Sequence, residues 1–278
     1  MMETSRSNLF KLERAVVPMA KGDRSKVVLE LAFSLSEMYN TEITALTVKE
    51  EVKEVTWSDK VSVVINAYRD GKDRNIKVIP KVRTSASTKQ GIVDEVNSKS
   101  YDILLLGTFK RSLLSGSLFG GIGDYVMKHS KVPTALVSIK GSTFPYRKIL
   151  LPLSESLNTR GAVSFALQLK KALGSNLTIA DLRKFDKHRT HGFSAIFDRF
   201  GEVVSKYGEN ITIIRPGYSS SLVEEVHLLI GDQKPDLIIL GVAENQKGKV
   251  RFNSDLKNII KATEQDTIVR LEPRAFLS

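Results

Sequence analysis

The chain has 278 residues, 41% of them hydrophobic and 26% charged, with a formal net charge of +11 and no cysteine. Disulfides, thiolate zinc sites and cysteine nucleophiles are thereby excluded, and a reducing compartment is the expected setting. No apolar run is long enough for a membrane span, and the polar start, Met1 to Asn8, lacks the apolar stretch of a signal peptide, so a cytoplasmic protein is expected.

The basic excess is spread along the chain with no long basic block. That distribution reads as a solvated surface with some preference for anionic ligands or the inner face of an anionic membrane. There is no aromatic-rich basic patch and no nucleic-acid-binding motif, so nucleic acid is not an expected partner.

In chain order, short Val-, Ile- and Leu-rich runs alternate with helical patterns. Strands are predicted at 14–18, 42–48, 76–83, 102–106 and 134–138, with little polar alternation, as in parallel strands buried on both faces. Helices are predicted at 24–39, 57–74, 88–99 and 120–130. Trp57, Val61, Val64, Ile65 and Tyr68 are spaced for one apolar face, which reads as core packing, with docking of a partner as the alternative. Ser87 followed by Gln90 has the form of a capping box opening the third helix. The second half repeats the order, with strands at 148–152, 177–182, 211–215, 236–240 and 267–271.

The repeat has an almost constant offset. Arg14–Pro18 reads like Lys148–Pro152, and Asp102–Gly107 like Asp236–Gly241, both 134 positions apart. The join falls at Gly141–Pro145, a turn-rich stretch suited to a linker. Two α/β domains are therefore expected, 9–141 and 142–278, each a doubly wound, mostly parallel five-stranded sheet. Ligands on such sheets bind beyond the carboxyl ends of the strands, where the strand order reverses.

The segment after the fourth strand begins at Gly107, Thr108 and Lys110 and ends at Gly120, Gly121, Ile122 and Gly123, where a helix opens. Glycines let backbone approach an anion, and a helix start offers free N–H groups and a favourable dipole. Lys110 and Arg111 add positive charge. The alternative is a glycine-rich turn that lets the helix pack. Ser115 and Ser117 lie in the same loop and read as loop residues whose hydroxyls are within reach of a phosphate.

This spacing resembles the universal stress protein family, whose nucleotide-binding members carry Gly, two residues, Gly, nine residues, Gly, then Ser or Thr. Val17-Pro18-Met19-Ala20 is similar to the family's Val-Pro-x-Asp strand end. The resemblance extends over both halves and implies the family's adenine-nucleotide α-hydrolase-like fold. It also implies ATP or ADP in the first domain, with adenine near Met19, Ala20 and Val48. The phosphates would lie among the N–H groups of Gly120 to Gly123 and the side chains of Thr108 and Lys110. This chain departs from the pattern at Lys110, at Gly121 in place of the hydroxyl residue, and at Ala20 in place of the acid.

In the second half Asn253 and Ser254 stand where Gly120 and Gly121 stand in the first, and Ser154 takes the acidic position. Asn253 or Ser254 reads as a helix N-cap, and the domain as a structural partner. His188 and His191 are three apart without a third metal ligand, so they read as a solvated loop and no metal is expected. His129 and His227 are isolated, and no catalytic triad or paired carboxylates are recognisable.

Three readings stay open. The first is a regulatory stress-response protein binding an adenine nucleotide, not an enzyme, and pairing with itself. The second is the cytoplasmic regulatory domain of a membrane transporter, an antiporter or permease, that binds no nucleotide. The third is a slow nucleotide hydrolase.

Overall fold

The computed structural model describes residues 12–20, 23–51, 57–108, 118–141, 144–186, 193, 196, 198–245 and 247–273. The chain divides into two compact units. The first runs through Ile139 and takes in Pro273; the second runs from Lys140 to Glu272.

The first unit is built on β1 (Arg14–Pro18), β2 (Glu42–Glu50), β3 (Val78–Ser85), β4 (Ile103–Thr108) and β5 (Thr134–Ser138). Their order is β3-β2-β1-β4-β5, and every pairing is parallel. Between them lie α1 (Asp23–Tyr39), α2 (Trp57–Asp73), α3 (Thr88–Ser98) and α4 (Gly120–His129). The strand order reverses direction after β3, so right-handed crossovers put α1 and α2 on one face and α3 and α4 on the other. Accordingly α3 packs against α4 as well as against β2 and β3. Burial is nearly complete along β1, β4 and β5, which explains the absence of polar alternation in their sequences.

The second unit repeats the plan with β6 (Lys148–Leu153), β7 (Asn176–Asp181), β8 (Ile211–Ile214), β9 (Leu237–Ala243) and β10 (Asp266–Glu272). The order is β8-β7-β6-β9-β10, again all parallel. The helices are α5 (Arg160–Leu173), α6 (Phe200–Tyr207), α7 (Leu222–Gln233) and α8 (Ser254–Ala262). The expectation of two doubly wound five-stranded units holds, with strand ends within two residues or so of most predicted bounds.

The repeat is visible in individual hydrogen bonds. Asp102 Oδ2 accepts the backbone N–H groups of Glu13 and Arg14 at 2.8 and 2.9 Å, tying the start of β4 to the start of β1. Asp236 Oδ2 accepts those of Arg147 and Lys148 at 2.7 and 2.9 Å. The ladders match too: Ala15 pairs with Ile103, and Ile149 with Leu237.

Two local expectations are corrected. Ser87 Oγ does accept Gln90 N–H, but the Gln90 amide turns away to Asp94 Oδ1 at 2.7 Å and accepts from Tyr125 Oη at 2.5 Å, so the reciprocal arm of the box is missing. The predicted core face of α2 is only partly buried. Its buried line is Val64, Ala67 and Gly71, whereas Trp57, Val61 and Tyr68 are exposed. The reason lies at Gly71, where a Cβ would fall 2.3 Å from Val78 Cγ2. Close approach along that line sets the helix's rotation and leaves the aromatic line outside.

Two buried carboxylates are partnered within their own units. Glu95 on α3 is fully buried and meets Lys81 at 2.6 Å, Arg83 at 3.0 Å and the Tyr101 hydroxyl at 2.8 Å. Burial pushes the Glu95 carboxyl up, but hydrogen bonds from Lys81 and Tyr101 and the two cations outweigh it and hold it below the usual range. Burial also lifts the Tyr101 phenol to about 12. In the second unit, buried Glu225 accepts the N–H groups of Tyr218 and Ser219 and pairs with Lys184.

Candidate functional site

The ladder between β1 and β4 stops at Val16 opposite Leu104, although β1 continues to Pro18 beside β2 and β4 continues to Thr108 beside β5. The two strands part at their carboxyl ends, and a crevice opens where the order reverses. This is the position at which a doubly wound sheet takes a ligand.

Around this crevice the structure sorts the predicted residues into two groups. Gly120 opens α4 with φ +79°, a left-handed conformation that favours glycine, and a Cβ there or at Gly121 would meet nothing within 4 Å. Ile122 is exposed beside them. Among the described residues, nothing stands against a side chain at Gly120 or Gly121. Ala20 is exposed just beyond β1, its N–H donating to Ser25 Oγ at 3.1 Å.

The second group is packed. A Cβ on Gly123 would lie 2.6 Å from Phe119 Cβ and 3.1 Å from Thr108 Cγ2. Gly123 therefore serves the close approach of α4 to β4. Thr108 is buried, with its hydroxyl donating to the Val137 carbonyl at 3.5 Å. Gly107 lies on β4 opposite Val137. Met19 is buried, and its N–H donates to the Leu46 carbonyl at 2.6 Å. Val48 is buried under α3, where a Cβ on Gly91 would stand 2.7 Å from Val48 Cγ1. Lys110, Arg111, Ser115 and Ser117 fall outside the described residues, as do His188 and His191.

One donor at the helix start is engaged from within: Phe119 N–H donates to Asp124 Oδ1 at 3.1 Å. Sequence reasoning did not single out Asp124. Its place one turn into a glycine-rich helix start was the available signal.

In the second unit the crevice is closed. The ladder between β6 and β9 stops at Leu150 opposite Ile238. Just beyond, Asn158 Nδ2 donates to the Pro152 carbonyl at 2.8 Å and to the Ile239 carbonyl at 3.2 Å. Gly241 N–H donates to the Leu157 carbonyl, and a Cβ on Gly241 would lie 2.7 Å from Thr159 N. The segment after β6 thus fills the gap between the parting strands. Ser154 is buried and donates to Asp186 Oδ1 at 2.6 Å, so a carboxylate from after β7 stands beside the hydroxyl. Asn253 Oδ1 accepts Leu256 N–H at 2.8 Å, the N-cap expected from sequence. Asn158 and Asp186 were missed, since neither lies in a motif.

Residues 11–138 match the model of the universal stress protein family. The first unit is a universal stress protein domain. No curated protein matches the chain in sequence. Among solved structures, a universal stress protein from Archaeoglobus fulgidus DSM 4304 is similar at 15% identity and TM-score 0.61, covering 94% of this chain and 98% of that one. A Pseudomonas aeruginosa UCBPP-PA14 protein named for the same family is similar at 13% identity and TM-score 0.64, with 97% and 96% covered. The cytoplasmic domain of a prokaryotic cation chloride cotransporter is similar at 10% identity and TM-score 0.56, with 96% and 97% covered. These likenesses run through both units and establish the fold. Among the described residues no helix is long and apolar enough to cross a membrane.

Proposed function

We propose that this protein is a cytoplasmic regulatory protein whose universal stress protein domain binds an adenine nucleotide, the second unit being a structural partner. The observation that carries the reading is the parting of β1 and β4 beside a helix start where Gly120 and Gly121 present bare backbone. Such backbone lets N–H groups reach phosphate oxygens, and the helix dipole favours their charge. Adenine would lie beyond the ends of β1 and β2, over Met19, Ala20 and Val48. Lys110 would add a charge-assisted contact to phosphate.

Gly121 lacks the hydroxyl, and Ala20 lacks the carboxylate, that the family pattern carries at these positions. Affinity is therefore expected to be micromolar or weaker, about −6 to −8 kcal/mol. Calorimetric titration with ATP and ADP tests this. Gly120→Val should abolish the heat while circular dichroism stays native. Absence of heat from the parent protein at millimolar nucleotide rejects the reading.

The second reading, a transporter's cytoplasmic domain without a nucleotide, is favoured by one observation: the cotransporter domain shares the fold over nearly the whole of both chains. Co-purification of the protein with a membrane transporter, together with the absence of nucleotide heat, would select it.

A further inference from the structure

The two units have equivalent rows of positions at the amino-terminal ends of their first three strands, and they fill them differently. In the first unit one row is Arg14, Glu42 and Lys77 across β1, β2 and the start of β3. Glu42 pairs with Lys77 at 2.5 Å and with Arg14 at 3.4 Å. The Tyr101 ring lies 5.5 Å from the Arg14 guanidinium and is itself buried. The row is closed by its own ion pairs and roofed by an aromatic ring.

In the second unit the same row is Lys148, Asn176 and Asn210, the last fixed by Leu177 N–H donating to its carbonyl as Ile43 N–H does to Lys77. The next row on that face is Leu150, Thr178 and Thr212. Pro235 stands where Tyr101 stands in the first unit. The roof and the ion pairs are gone, and a solvent-open cleft of about 360 Å³ takes their place, flanked by Gln233 at the end of α7, with Lys148, Asn176, Asn210 and Thr212 exposed in it. Cavities that bind small molecules begin near this size.

The chemistry of the lining is specific. Lys148 supplies one cation, and no carboxylate lines the cavity. Asn176, Asn210, Thr178 and Thr212 supply neutral donors and acceptors in register. The side chains of these four residues and of Lys148 make no hydrogen bond or ion pair within the described residues. Paired amides and hydroxyls on a flat strand surface match adjacent hydroxyls of a ligand, each acting as donor and acceptor. A lone ammonium beside them matches one anionic group.

We propose that this cavity of the second unit binds a small polyhydroxylated anion, a sugar or polyol carrying one phosphate or carboxylate. The anionic group meets Lys148, and the hydroxyls meet the Asn176–Asn210 and Thr178–Thr212 rows. The site lies at the opposite strand ends from the crevice that Asn158 fills, so it is independent of the nucleotide proposal.

The test is titration of the intact protein with glucose 6-phosphate and gluconate, followed by calorimetry, with glucose and inorganic phosphate as the two halves of the ligand. Saturable binding of either probe, weakened at least tenfold by Lys148→Met and by Thr212→Val, supports the site. Pro235→Tyr, which restores the side chain of the first unit, should abolish binding with the melting temperature retained. No heat from both probes at millimolar concentration overturns the proposal. So does binding that Lys148→Met and Thr212→Val leave unchanged, or inorganic phosphate bound as tightly as glucose 6-phosphate.

Discussion

Asp102 and Asp236 hold equivalent positions 134 residues apart, and each uses its Oδ2 to take two consecutive backbone N–H groups at the start of its unit's first strand. The four distances fall between 2.7 and 2.9 Å. A carboxylate in this place pins the register of β1 on β4, and of β6 on β9, before either ladder begins.

Asp102→Ala and Asp236→Ala should therefore have similar effects on their own units. Each removes two charge-assisted bonds and should cost about 1.5–3 kcal/mol. Urea unfolding, followed by a fluorescence or exchange probe in each unit, measures both. A loss confined to one unit for both variants would contradict the equivalence.

Gly121 and Gly123 are two residues apart in α4 and should respond oppositely to alanine. At Gly121 a Cβ meets nothing, so Gly121→Ala should stabilise by up to about 1 kcal/mol through helix propensity. At Gly123 the same carbon would stand 2.6 Å from Phe119 Cβ, so Gly123→Ala should destabilise by about 1–3 kcal/mol. Thermal unfolding of the two variants decides it.

Gly121→Ser restores the hydroxyl of the family pattern in open space. If the universal stress protein domain binds nucleotide, this change should tighten ATP binding by roughly tenfold, about 1.4 kcal/mol. Calorimetry beside Gly120→Val gives a gain and a loss from neighbouring positions.

Glu95 gives the first unit a definite acid sensitivity. Its folded-state pKa lies below its unfolded value, so its contribution is complete above the unfolded pKa and is lost as pH falls through the depressed one. Stability measured from neutral pH downward should fall through that window. In Glu95→Gln it should start lower by about 1–3 kcal/mol and fall less steeply, because the group that titrates is gone. An unchanged slope would assign the acid limb to other carboxylates.

The strand frame was legible because its signal is local. The Val, Ile and Leu runs of β1, β4 and β5 read as strands buried on both faces, and the Asp102 and Asp236 landmarks recur at one offset. The glycine-rich helix start was legible in position but not in division of labour. Gly120 and Gly123 look alike in sequence, and only the distance from α4 to β4 shows that one is bare and the other packed. The Asn158 bridge was hidden for the same reason. Its partners, the carbonyls of Pro152 and Ile239, become neighbours only when β6 and β9 do. Trp57 and Tyr68 misled because helical spacing gives an apolar stripe without saying which of two stripes the sheet will take.

The Asn158 bridge also bears on how the two halves answer heat. A gap whose carbonyls are satisfied by the chain's own amide gains nothing from a dissolved nucleotide, so ATP should add no stability through that gap. A unit whose gap is completed only by a bound molecule melts higher as that molecule's concentration rises. One polypeptide would then hold one gap that answers to nucleotide and one that does not.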